Sequence, residues 1–263
     1  MRSAWTALLL CLPGLCIAAC SRTIVVPVTT VGLSVTIDAG KVGGAYPSLL
    51  RELGLANGCH FDFQPVPRAR LELMFETGQA DMIVPATRSD RRDLQGEFVP
   101  LIQSRAAAIS LASERLAVRS LDDILQRKEL RVAVVRGFDF GAEYRRFVDA
   151  IRAQGRLQQE ADLASLVRVL QEGHADLTVL NTTNLYGLQA SGAKPLPAQW
   201  RVEPLNEMPW GEAGFYISNK SLAPADRQHL RQMLQEAARS GAVWKALSQV
   251  YPAATLEAGM KPL

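Results

Sequence analysis

ADMIVPATRSDRRDLQGEFVPL, from Ala80 to Leu101, is the stretch that decides the fold. Met82, Ile83 and Val84 form a short apolar run ended by Pro85. Small hydroxyl residues and three arginines, Arg88, Arg91 and Arg92, follow, and then Glu97-Phe98-Val99-Pro100. This is a strand running into a cationic turn. In open α/β sheets, side chains and free backbone N–H groups converge on ligands at the carboxyl ends of buried strands. A solvated basic loop carries the same charge pattern, so the flanking sequence has to decide between the two.

The flanks alternate between strand and helix signals. Thr23 to Asp38 is dense in β-branched residues and predicts one or two strands. Gly40-Lys41-Val42-Gly43-Gly44 breaks the pattern, and Ala45 to Leu55 sets Leu49, Leu50, Leu53 and Leu55 on a helical stripe. His60 to Val66 is a strand; Pro67 starts a helix carrying Leu71, Met74 and Phe75, and Gly78 closes it. This order implies parallel pairing through right-handed crossovers. Arg105 to Leu111 is a further strand, after which the pattern restarts. Ser120 caps a short helix, Leu130 to Val135 is a buried strand, Ala142 to Gln154 is helical, Asp162 caps another helix, and Asp176 to Leu180 is a strand. Trp200 to Leu205 and Ala213 to Ser218 are strand-like, and Pro224 opens a long amphipathic helix to about Gln249. Two such sets, each long enough for its own core, predict two lobes.

Met1-Arg2 followed by the apolar run Ala4 to Ala19 has the layout of a secretory signal, shorter than a bilayer span needs. Ile17-Ala18-Ala19-Cys20 resembles a bacterial lipobox. That implies removal of residues 1–19 and acyl chains on Cys20 that hold the protein at a membrane surface, with Ser21 and Arg22 beginning a tether. The alternative is a plain signal cleaved near Ala19. Cys11 and Cys16 leave with the signal, so Cys59 is expected as a lone buried thiol, with no disulfide framework and no metal-ligand spacing. His174 and His229 are expected to be structural or solvated. The net charge is +3 over 263 residues, which points to no nucleic-acid partner. No cofactor is expected.

The chain resembles the bacterial extracellular solute-binding proteins of family 3, which deliver polar amino acids to ABC importers. Gly78-Gln79-Ala80-Asp81-Met82 is similar to the family's G-x-x-D entry to its binding strand. Thr87 to Arg92 takes the place of its S-I-T-x-x-R turn, and Glu97 to Pro100 of its F-(S/T)-x-P continuation. Pro65 to Arg70 resembles the P-x-P-W-x-R run of one branch, and Asp226 to Tyr251 the closing helix pair. The resemblance implies an α/β, two-lobe, type II periplasmic-binding fold: two parallel-rich sheets and a hinge of two crossing strands. Lobe 1 would span residues 20–111 and 207–263 and lobe 2 residues 112–206, with crossings near Ala112-Ser113 and Asn206 to Pro209.

Carried over residue by residue, the family's carboxylate-binding arginine falls on Arg92, whose guanidinium can make two parallel bonds to a carboxylate. Thr87 adds a hydroxyl. Arg88 and Arg91 are either solvated or paired with Asp90 and Asp93. Arg70 either lines the cleft or holds a lobe-1 carboxylate. Tyr46 is either a ring for the ligand to stack on or an aromatic packed on the lobe, and Trp210 either faces the cleft or packs. Two positions depart from the family. Asp139 stands in Gly137-Phe138-Asp139-Phe140-Gly141 where a hydroxyl residue is usual, and repels an anion unless it caps the helix. Asn181 takes the place of the acid that binds an ammonium group, and is neutral.

The function implied is a membrane-tethered, monomeric, extracytoplasmic binding protein that closes on a small polar, carboxylate-bearing solute for an ABC permease, or as the input of a sensor. It is not expected to be an enzyme. A dehydratase-like rival needs Asp139 or Glu207 as a general acid. A module that has lost its ligand and works by touching a partner protein is the other rival. A cleft plugged by the protein's own side chains would favour it.

Overall fold

Ile24–Val28 forms β1 and buries four of its five side chains, as a β-branched run between two packed layers must. The computed structural model describes residues 19–186 and 200–263, so the expected signal lies outside the described residues, Ala19 apart. After β1 come β2 (Thr36–Asp38), β3 (Lys41–Gly43), α1 (Ala45–Asn57), β4 (Phe61–Pro65), α2 (Arg68–Glu76), β5 (Met82–Thr87), α3 (Asp90–Asp93) and β6 (Gly96–Ser104). The second lobe contains β7 (Ala107–Leu111), α4 (Leu121–Gln126), β8 (Val132–Val135), α5 (Ala142–Ala153), β9 (Leu157–Glu160), α6 (Leu163–Gln171), β10 (Thr178–Leu180), α7 (Thr182–Tyr186) and β11 (Trp200–Pro204). The chain returns through β12 (Gly211–Ser218), α8 (Pro224–Arg239), α9 (Ala242–Ser248), α10 (Ala253–Gly259) and β13 (Met260–Lys261).

In lobe 1 the strands run β13-β6-β12-β5. The Asp81 N–H, which donates to Val25 O at 2.9 Å, links this sheet to the parallel pair β1 and β4. Leu50, Phe215, Leu230 and Leu247 pack on one face of the sheet, and Leu71, Phe75 and Tyr216 on the other. In lobe 2 the order is β10-β7-β11, extended by a parallel bridge from Leu177 to Val132 and by the parallel pair β8 and β9. Helices α4 and α5 cover one face of that sheet and α6 the other. Each fully buried Leu, Ile or Phe of these layers contributes about 1.5–3 kcal/mol.

Several expectations are corrected. The sheets are less parallel than the strand-helix order implies: β12 is antiparallel to both β5 and β6, and β7 to both β10 and β11, because the chain crosses between lobes and comes back. Since β7 belongs to the lobe-2 sheet, the first crossing is Arg105-Ala106 rather than Ala112-Ser113. The long C-terminal helix is two, α8 and α9, parted at Gly241, whose φ of 76° suits a residue without a side chain. Leu55 is exposed, off the buried stripe of α1.

The largest correction is at the N-terminus. Cys20, expected to carry lipid, is joined to Cys59, expected to be a lone thiol, with the Cα atoms 4.9 Å apart. Ser21 and Arg22 are not a free tether. The Ser21 N–H donates to Asp226 at 2.8 Å, and Arg22 holds Asp81 with two bonds of 2.6 and 2.8 Å. No helix among the described residues is long and apolar enough to cross a membrane. Closing a loop with a sequence separation of 39 residues restricts the unfolded chain, an effect worth about 2–4 kcal/mol. The paired substitution Cys20→Ser/Cys59→Ser should lower unfolding free energy by about that amount in urea titrations; an unchanged midpoint would show that the disulfide does not constrain the fold.

Candidate functional site

Pro65-Val66-Pro67 ends β4 and fixes the entry to α2, so Arg68 lies at the first helical position and Glu72 one turn later on the same face. Both are buried. Arg92 comes from the single turn α3 and folds back toward α2. Its Nε donates to Glu72 Oε2 at 3.0 Å, its Nη2 to Oε1 at 2.8 Å, and its Nη1 to Thr87 O at 2.9 Å. Arg68 Nη2 reaches the same Oε1 at 2.8 Å, and Nη1 donates to Pro85 O at 3.3 Å. Arg68 Nε is buried with no hydrogen-bond partner. Two buried guanidiniums therefore share one carboxylate, and one positive charge remains uncompensated within the group.

The arrangement shifts all three groups. Burial pushes the Glu72 carboxyl up, but the charges and hydrogen bonds of Arg68 and Arg92 outweigh it and hold it below the usual range. Burial lowers Arg68, which has one contact to Glu72 to offset it. Burial also works against Arg92, yet the two-pronged contact with Glu72 leaves that group raised.

A cavity of about 70 Å³ lies between the lobes, bordered by Tyr46, Arg68, Thr87, Phe138, Phe140 and Asn181 among others. The lobes touch around it. Thr87 Oγ1 donates to the Asp139 carbonyl at 2.5 Å, and the Arg68 guanidinium stands 5.7 Å from the Phe138 ring centre. Tyr251 links Ser34 of lobe 1, whose N–H donates to its hydroxyl at 2.8 Å, to Thr183 O of lobe 2, at 3.3 Å. A side chain on Gly137 would press on Arg68 and Ala69, so the glycine permits this approach at φ 86°.

The expected site residues divide accordingly. Thr87, Tyr46, Asp139 and Asn181 all border the cavity. Arg92 does not, because Glu72 fills its fork. Tyr46 is buried, edge-on to Phe215 at 5.1 Å, and burial pushes its hydroxyl well above the ordinary range. Asp139 accepts the Gly141 N–H at 2.8 Å just ahead of α5 and pairs with Arg145 at 2.9 Å, so its charge is answered locally. The Asn181 carbonyl is spent: Oδ1 accepts from the Thr183 N–H at 3.0 Å and from its hydroxyl at 2.7 Å, while Nδ2 donates one N–H to Gly259 O at 2.9 Å. Arg70 is exposed on α2 and does not line the cleft. Trp210 lies outside it, between Arg105 and Lys261 at 4.7 and 4.8 Å. Arg88 pairs with Asp93 as one alternative had it, whereas Arg91 pairs with Glu76. Glu207 accepts the Leu121 N–H at 2.9 Å, at the start of α4. The residues not foreseen are Arg68, Glu72, Phe138 and Phe140. Arg68 and Glu72 did carry a signal, opposite charges four apart on a helix, but that spacing usually marks an exposed pair.

No family model matches the chain, and no curated protein matches it. Solved structures do. A histidine kinase sensor domain with similarity to periplasmic binding proteins superposes with a TM-score of 0.69 at 16% identity, covering 87% of this chain and 95% of that one. An ancestral arginine-binding protein bound to arginine gives 0.69 at 15%, covering 88% and 98%. A putative L-cystine ABC transporter from Listeria monocytogenes gives 0.70 at 16%, covering 89% and 97%. The fold is the two-lobed type II periplasmic-binding fold.

Removing the Glu72 charge leaves two buried guanidiniums without their shared partner, so Glu72→Gln should cost about 3–5 kcal/mol in urea unfolding. The depressed folded-state value makes the Glu72 contribution complete above its unfolded pKa, about 4.3, and removes it as pH falls through the lower folded value. Glu72→Gln should flatten that acid limb of the stability curve; an identical limb in both proteins would remove the triad from the explanation of acid unfolding.

Proposed function

We propose that the protein is an extracytoplasmic solute-binding protein that closes two lobes over a small carboxylate-bearing solute and presents the closed form to a membrane partner. One observation carries this reading: Arg68 borders the interlobe cavity with an unpartnered buried Nε, in a group that holds one positive charge in excess. A solute carboxylate at Arg68 answers that charge and satisfies donors that water reaches poorly. The anchor is then Arg68, with Arg92 holding Glu72 in place. Space favours a short solute, since the cavity holds about 70 Å³. With the Asn181 carbonyl oxygen occupied and Asp139 paired to Arg145, a simple carboxylate fits better than a zwitterion.

The likeness to binding proteins of ABC transporters supports a permease as the partner. A second reading, a module whose closed shape is read by a partner protein, draws support from the direct bonds between lobes at Thr87, Tyr251 and Asn181, and from the sensor-domain likeness. The enzyme rival is weakened because Asp139 and Glu207 are both engaged. For location, the apolar leader and the disulfide both support an oxidising compartment outside the cytoplasm. The lipid anchor needs the Cys20 sulfur that Cys59 holds, so the disulfide-bonded form is unanchored at that residue.

Calorimetry against a panel of short carboxylates and amino acids should find a binder, and Arg68→Ala should weaken it by about 30-fold or more, the loss of a buried charge-assisted pair. No binding by the wild type, or equal binding by Arg68→Ala, would end the carboxylate assignment. Intact-mass analysis of the protein recovered from its host should give a chain beginning near Cys20, lighter by two hydrogens than the reduced form. An added diacylglycerol mass would restore the lipid anchor at Cys20 and overturn the disulfide-bonded reading of that residue.

A further inference from the structure

A second groove, of about 370 Å³, shares only Phe138 and Asp139 with the interlobe cavity and is walled by both lobes. We propose that it is a separate anion site for a phosphate-type dianion. Five arginines line it: Arg91 and Arg92 from lobe 1, and Arg136, Arg145 and Arg152 from lobe 2. Its carboxylates are Glu72, Asp139 and Asp149, two fewer than its arginines, and Glu76 answers one of the two remaining charges from outside the lining. Each of these acids is already matched, Glu72 to Arg92, Asp139 to Arg145 and Asp149 to Arg152. Arg91 leans on Glu76, outside the lining. Arg136 has no carboxylate partner among the described residues, and its side chain is exposed.

A second, independent observation lies in the same wall. Ser89 is 5% exposed and borders the groove, and its hydroxyl is buried with no partner. Arg92 spends three N–H groups on Glu72 and Thr87 and keeps two of its five. A tetrahedral dianion has enough acceptor oxygens to engage an unpaired guanidinium, the spare N–H groups of a paired one and a serine hydroxyl together. A planar monocarboxylate, with two oxygens in one plane, reaches fewer of these donors. The volume is of the size that holds small ligands, about 300 Å³ and upward.

Titration of the purified full chain with inorganic phosphate, followed by calorimetry and ³¹P line broadening at fixed ionic strength, tests the site. Saturable one-site binding is expected. Arg136→Ala and Ser89→Ala should each weaken it, the former by about tenfold or more. Arg136 is exposed, so its removal leaves folding intact, and a matched thermal melt checks this. Asn184→Leu, which narrows the other cavity without touching the Arg68–Glu72–Arg92 group, should leave phosphate binding at the wild-type level. No saturable binding, or binding that survives Arg136→Ala unchanged, would overturn the proposal. So would binding lost in Asn184→Leu alone, which would place the phosphate in the interlobe cavity.

Discussion

Glu72 between Arg68 and Arg92 is the interaction on which the rest of the site depends. It ties α2 to the turn after β5, and so sets where Thr87 stands and which arginine borders the cavity. A buried ion pair of this kind adds little net stability, because desolvation takes back much of the Coulomb gain. Its consequence is positional. Arg92 has its fork filled from within the lobe, while Arg68 meets the same carboxylate by one contact and keeps a donor unspent.

The second lobe meets this arrangement with backbone and aromatic groups rather than with free charge. The Asp139 carbonyl takes the Thr87 hydroxyl, Phe138 lies near the Arg68 guanidinium, and Asp139 turns its carboxylate to Arg145. At the other side, Asn181 binds the carbonyl of Gly259, and Tyr251 joins Ser34 to Thr183. The C-terminal helix α10 thus takes part in holding the lobes together, along with the two crossing strands. Helix α10 lies against α7 of lobe 2, and the Arg105 N–H, in the first crossing, donates to Gly259 O at 3.1 Å.

Much of the fold was legible because it rests on periodicity: the β-branched run of β1, the apolar Leu130 to Val135 stretch and the caps at Ser120 and Asp162 all lie in local sequence. Antiparallel pairing of β12 between β5 and β6 was not, since strand order is decided by partners more than a hundred residues apart. Helix α10 was missed for want of a long apolar stripe. The site was less legible than the fold. Thr87 was placed at the cleft by its turn, whereas Arg92 could be placed there only by supposing its fork free. Nothing in the Arg68 to Glu72 spacing tells a buried pair from a surface one, because the difference comes from α3 folding back over α2. Cys20 shows the same gap. A lipobox-like tetrapeptide and a distant cysteine carry no sign of their separation in space, and it is the fold that brings their Cα atoms to 4.9 Å.

A crystal structure of the protein with its bound carboxylate tests this arrangement most directly. The solute carboxylate should lie on the Arg68 guanidinium, with Glu72 still spanning Arg68 and Arg92. A carboxylate seated on Arg92, with Glu72 turned away, would contradict it and return the anchor to the position that the turn after β5 first suggested.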